Sequence, residues 1–229
     1  FHMKILQIDN AFMLSLIAAA VTSALLLTSF LLLEPTVSHA VSDTVSVHQT
    51  ITAEISIAIA STSLSMDGTI AGITGGITDA ETEVLVITNN STGYNMTIQF
   101  ASATAMYRDT GGTDIPNYVP AVETVPDQTF DSAEVFAQFG YSAWSSADGA
   151  DIDDSFKGAG CAGGSSVTLE CWMSPSSTAA ETIVNRTTAT PASGATTTVQ
   201  FRVDVPNNPV PSVDTGTYTA TATLTAVTN

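Results

Sequence analysis

Basic side chains are scarce in this chain. Five Lys and Arg stand against 22 Asp and Glu, giving a net charge of −17. Beyond residue 40 only Arg108, Lys157, Arg186 and Arg202 remain against 20 acids, so the body carries −16 (4 minus 20). Phosphate is bound through Lys and Arg, so nucleic acid is not an expected partner. Anionic lipid headgroups are repelled for the same reason, and contact with a membrane is expected only through residues 11–33. Histidine is equally sparse. His2 and His39 precede the body, and His48 falls on the polar side of an alternating segment. No Ser-His-Asp or Cys-His arrangement can be assembled without His48, whose place beside Gln49 on that polar side fits an exposed strand residue, and this points to a non-catalytic protein. Cysteine is limited to Cys161 and Cys171, ten positions apart. Two thiols with no nearby histidine make a poor zinc site, whereas in an exported chain they are expected to close one small disulfide loop.

One long apolar run stands out near the N-terminus, residues 11–33, followed by Glu34-Pro35 and by small residues at Ser38 and Ala40. Three readings of it stay open. A cleaved signal peptide has its basic residue in Lys4 and its cleavage site at Ser38-x-Ala40. A retained anchor needs about 20 apolar residues, and Ser15, Thr22, Ser23, Thr28 and Ser29 are tolerable there if each hydroxyl bonds back to the helix. The start at Phe1 also resembles a processed type IV pilin, which runs from Phe into a long apolar helix. Ile5 stands where the bacterial family has Glu, and a short helix followed directly by a β-domain is closer to the archaeal pilins. The organisation expected is therefore residues 1–40 as signal, anchor or pilin-like helix, and 41–229 as one β-domain.

The body reads as strands. In residues 44–60, Val45, Val47, Ile51, Ile55, Ile57 and Ile59 fall on odd positions with mostly polar residues between them, the period of a half-buried strand. That is long for one strand. Residues 66–76 are rich in Gly and read as turns with a short strand. Residues 83–88 and 94–101 are strands flanking the turn 89–93, and together they predict a hairpin. A loop with three prolines covers 107–131, and alternation returns over 135–144. After an acidic, Gly-rich stretch at 148–166 come strands at 167–172, 182–188, 196–205 and 216–227. No helix is expected in the body. About nine strands separated by turns predict an all-β fold, an antiparallel Ig-like or jelly-roll-type β-sandwich preceded by the hydrophobic helix.

Several side-chain groups invite a chemical reading. Asp148, Asp151, Asp153 and Asp154 lie close together beside glycines, and clustered carboxylates on a flexible loop can hold Ca²⁺. Their spacing departs from the EF-hand loop, and a solvated acidic loop is the plainer reading. Asp109-Thr110-Gly111 and Asp214-Thr215-Gly216 spell the aspartic-protease triplet, but their polar and proline-rich surroundings read as turns. Asn89, Asn90, Asn95 and Asn185 each begin an Asn-x-Ser/Thr triplet, a glycosylation acceptor in some secreted proteins. Trp144, Trp172 and Tyr141 can stack on sugars or fill the core.

Two patches carry a resemblance. Residues 88–98, TNNSTGYNMTI, and residues 215–225, TGTYTATATLT, pair a Gly-aromatic-x-apolar-Thr strand with a closing Gly-x-Tyr strand. This resembles the WxL-type cell-surface domains, with Tyr94-x-Met96 where that family has Trp-x-Leu. The resemblance implies a secreted β-sandwich at the cell surface, in contact with cell wall. The function expected is that of a non-catalytic exported structural subunit, of a pilus-like filament or a surface coat. It would self-assemble by strand addition or by helix packing. The alternative is a secreted adhesin or glycan-binding module, with Ca²⁺ as its candidate cofactor.

Overall fold

The computed structural model describes residues 10–32, 42–122, 125–128, 130, 134–149, 151–157, 161 and 171–229. The first nine residues, the Ser38 and Ala40 site, and most of the strand expected at 167–172 lie outside the described residues. Two units are distinguished, Phe1–Thr50 and Ile51–Asn229.

In the first unit a single helix, α1, spans Asn10–Leu32. Its 23 residues are apolar on every side and none is buried. At 1.5 Å per residue the helix is about 34 Å long, enough to cross the roughly 30 Å hydrocarbon core of a bilayer. Each of its five hydroxyls bonds back to the helix. Ser15 donates to Phe12 O, Thr22 to Ala18 O, Ser23 to Ala20 O, Thr28 to Ala24 O and Ser29 to Leu26 O. The helix thus presents an unbroken apolar surface although its sequence contains polar atoms.

The second unit is mostly β, with nine strands among the described residues. They are β1 (Ile55–Ile59), β2 (Gly76–Thr88), β3 (Tyr94–Phe100), β4 (Met106–Arg108), β5 (Gln138–Trp144), β6 (Glu181–Arg186), β7 (Ala195–Val205), β8 (Tyr218–Ala220) and β9 (Ala222–Thr228). They form three sheets ordered β1-β2-β7-β5, β6-β3-β9 and β4-β8, all with antiparallel pairing. Alternation explains the faces. Val84 and Val86 of β2, Phe139 and Tyr141 of β5, and Val199 and Val203 of β7 are buried in one cluster with Tyr94, Met96, Ile98 and Phe100 of β3. The Phe100 ring, at the end of β3, lies 5.4 Å from that of Tyr141 and 6.0 Å from that of Phe139, so aromatic contacts join the two sheets. A single 3₁₀ turn, Asp154–Phe156, is the only helical element described in this unit.

Three expectations are corrected. Residues 83–88 and 94–101 do not form a hairpin: β2 pairs with β1 and β7, whereas β3 pairs with β6 and β9. The connection 89–93 carries the chain from one sheet to the other. Its side chains bond to distant backbone, with Asn90 Nδ2 donating to Gly93 O and Asn229 O, and Thr92 Oγ1 donating to Asn229 O. Gly93 takes φ +80°, and a Cβ there would overlap the Arg186 carbonyl of β6. The turn closes on itself between Asn90 and Gly93 and is fastened to Asn229 and packed against β6. The second correction is the closing strand, which splits at Thr221 into β8, paired with β4, and β9, paired with β3. The third is residues 44–60, of which only Ile55–Ile59 forms a strand.

Candidate assembly surface

Strand β1 is short because side chains end its ladder at both sides. It pairs with residues 84–88 of β2, from Ile55↔Thr88 to Ile59↔Val84. At its start, the Asn89 side chain accepts from Glu54 N at 2.7 Å and donates to Thr52 O at 3.1 Å, while Thr88 Oγ1 donates to Glu54 O at 2.6 Å. At its end, the Thr82 hydroxyl accepts from Ser61 N and donates to Ser61 O. β2 continues for eight residues, 76–83, beyond the last β1 pair, and the chain after β1 touches that edge again where Ala60 N donates to Glu83 O and Asp67 N to Asp79 O.

Two consequences follow. Upstream of β1, residues 42–51 carry neither helix nor strand, and all are exposed. Val45 is 87%, Val47 88% and Ile51 82% exposed, although they continue the odd-numbered apolar face of β1. Downstream of β1, a cleft of ≈560 Å³ opens where that strand no longer covers β2. Small residues form part of it, Ala80 and Thr82 on β2 and Ala220 and Ala222 on the opposite wall, with Phe201 and Leu224 among the larger ones. None of its lining residues is charged. These residues were not singled out in the sequence. The only available signal was the run of small inward residues on β2, where the rest of the strand has valine.

The four clustered aspartates each have a cation or hydroxyl partner. Asp148 and Asp151 face Arg186, whose Nη1 lies 3.5 Å from Asp148 Oδ1 and forms an ion pair with Asp151. Asp153 turns onto Ser155, accepting from its N and its Oγ. Asp154 pairs with Lys157 at 2.8 Å, and this holds its carboxyl below the usual range, through hydrogen bond and charge together. Burial pushes the Asp151 carboxyl up, with Arg186 opposing the shift and Asp148 adding to it. Among the described residues no three His, Cys, Asp or Glu converge as a metal would need. The nearby hydroxyl of Tyr94 is buried and is pushed up to about 12, by burial first and then by the charge of Asp151.

Cys161 and Cys171 are joined in a disulfide, with Cα atoms 5.6 Å apart. Such a bond is at home in an oxidising compartment. Of the triplet asparagines, Asn89 and Asn90 spend their amides on backbone as described. Asn95 of β3 and Asn185 of β6 are cross-strand partners, the second exposed and the first half-buried.

The two Asp-Thr-Gly triplets meet at the β4–β8 ribbon, where Asp109 N donates to Thr217 O and Thr113 N to Asp214 Oδ2. Arg108 lies between them, its guanidinium donating to Gly111 O and Thr215 O. Both aspartates are exposed and sit in turns, not in the buried, proton-sharing pair that acid proteolysis uses. The aromatic residues are inside. Tyr141 is in the core, and Trp172 packs with Phe130 and Tyr118 beneath Arg202, whose guanidinium carbon sits 4.3 Å from the indole centre. Arg202 also makes a two-point pair with Asp79 at 2.7 and 3.0 Å. Trp144 is half-buried.

A scan of the chain against protein-family models gives no match, and neither does a search of curated proteins.

Proposed function

We propose that this chain is a non-catalytic structural subunit displayed outside the cell, which assembles with copies of itself into a filament or coat. In this reading the β-rich unit is a β-sandwich of the surface-domain type that the WxL resemblance implies. Segment α1 then serves for export, anchoring or packing in a filament core. The observation that carries the reading is the exposed, alternating segment 42–51, in which three large apolar side chains face solvent at strand spacing. Strand-patterned residues without a strand partner are a template for pairing between chains. The disulfide and the apolar helix support export. A body with one histidine and four basic residues offers few groups for acid–base chemistry.

Negative-stain imaging of the full chain, purified from cells that export it, tests the proposal. Regular filaments or sheets are expected at high concentration. A monodisperse monomer under those conditions would refute it.

A further inference from the structure

We infer that the uncharged cleft beside β2 is the receiving site for residues 42–51 of a second copy, which adds a strand where β1 stops. This deepens the self-assembly reading and rests on it.

Four observations converge. The first is spacing. Val45, Val47 and Ile51 lie on one face of an extended chain, about 6.6 Å per two residues, and β2 runs eight residues beyond its last pair with β1, tied there to the preceding chain at Glu83 O and Asp79 O. The second is shape. The inward side chains of that part of β2 include Ala80 and Thr82, and the facing wall includes Ala220 and Ala222. A strand laid there would point alternate side chains into space that small residues leave open.

The third is charge. Copies of a chain carrying −17 repel each other, yet within the segment only Asp43, next to its start, is charged, residues 44–51 contain no Asp, Glu, Lys or Arg, and the cleft lining contains none either. Residues 44–51 and the cleft are therefore a pair of surfaces on which two copies can meet without burying a charge. The fourth is polarity. The chain enters β1 at Ile55, while the cleft begins at Ile59, at the other end of the same strand. Donor and acceptor thus lie at opposite ends of one element. Contacts of this kind are head-to-tail, and unless the rotation closes a ring they propagate as a filament.

The test uses the full chain in three forms: wild type, the triple variant Val45→Asp, Val47→Asp and Ile51→Asp, and a mixture of Val47→Cys with Ala222→Cys. Because the three substituted positions are exposed, the triple variant is expected to keep the wild-type far-UV circular dichroism. Sedimentation should show its assembled fraction at least tenfold below that of wild type. The mixture should give a covalent dimer on oxidation that neither cysteine variant gives as a crossed product alone. If wild type assembles and the triple variant assembles equally, the cleft inference is overturned while the self-assembly reading stands, with helix packing as its means. If wild type does not assemble at all, the reading itself fails and takes the inference with it. A Val47→Cys/Ala222→Cys double variant that closes only within one chain, at any dilution, also overturns the inference.

Discussion

Removing the hydroxyl of Tyr94 should leave the protein at least as stable at neutral pH and more stable in alkali. The side chain sits on β3 inside the common core, and its hydroxyl has no hydrogen-bond partner among the described residues. A buried polar atom without a partner costs about 1–3 kcal/mol, so Tyr94→Phe is expected to gain about 1 kcal/mol at pH 7, allowing for imperfect repacking. The alkaline effect follows from the phenol being pushed from 10.0 up to about 12. A folded-state value above the unfolded one means that stability is complete below pH 10. It is lost as pH rises from 10 towards 12, because only the unfolded chain then ionises. At pH 11 the loss is about 1.4 kcal/mol for this one tyrosine. Tyr141, whose hydroxyl is also buried and unpartnered among the described residues, is pushed up still further by burial and adds a similar loss. Urea midpoints for wild type and Tyr94→Phe/Tyr141→Phe at pH 7, 9 and 11 read out the effect. Absorbance at 295 nm reports whether phenol ionises together with unfolding. Wild type should lose roughly 3 kcal/mol between pH 9 and 11 that the double variant retains. The reasoning is refuted if Tyr94→Phe costs more than about 1 kcal/mol at pH 7, or if both proteins decline in parallel.

Three further outcomes are expected. Gly140→Ala places a Cβ 2.5 Å from the Phe130 ring and 3.0 Å from Tyr118 Cβ, so overpacking should cost about 1–3 kcal/mol, read as a lower urea midpoint with unchanged slope. Replacing Cys161 and Cys171 by serine together opens a short loop and should cost about 3 kcal/mol at most, measured by thermal unfolding without reductant. Arg186→Ala leaves Asp148 and Asp151 facing each other without their cation and should cost about 3 kcal/mol at pH 7. Because burial already raises the Asp151 carboxyl, that variant takes up protons readily, and its deficit relative to wild type should shrink as pH falls towards 4. A deficit that is constant with pH would count against the ion-pair explanation.

The strands were legible where alternation was strict. Tyr94, Met96, Ile98 and Phe100 announce a buried face by their spacing alone, and all four lie in the core. The same holds for Val199 and Val203 on β7. Pairing was not legible. The turn 89–93 has hairpin chemistry and closes locally between Asn90 and Gly93, but Asn90 and Thr92 also bond to Asn229, more than a hundred residues away, and no local pattern encodes that. The extent of β2 was hidden by its small and polar inward residues, which look like a loop edge until β7 is placed beside them. For the carboxylates near 150, sequence gives proximity without direction. Arg186, far along the chain, takes two of them, while Ser155 and Lys157 take the others.

A period of two in residues 44–60 states a demand for a partner without naming one, and only five of those residues meet it within β1. The energetics of meeting the rest are close to balance. Burying Val45, Val47 and Ile51 gains about 2 kcal/mol each, roughly 6 in all. About seven added backbone hydrogen bonds at about 1 kcal/mol contribute roughly 7 more. Ordering about eight residues at about 1.5 kcal/mol costs roughly 12. The sum is near zero before the cost of bringing two chains together, so free subunits in dilute solution should associate weakly. Confinement changes the outcome. Subunits held in one membrane by an apolar helix, or stacked by it, meet at a high effective concentration, and a joint of marginal intrinsic strength then becomes occupied. Helix packing and strand addition are on this argument complementary and not competing means. Deleting residues 10–32 should therefore raise the concentration needed for assembly by at least tenfold without abolishing it, as light scattering against concentration would show.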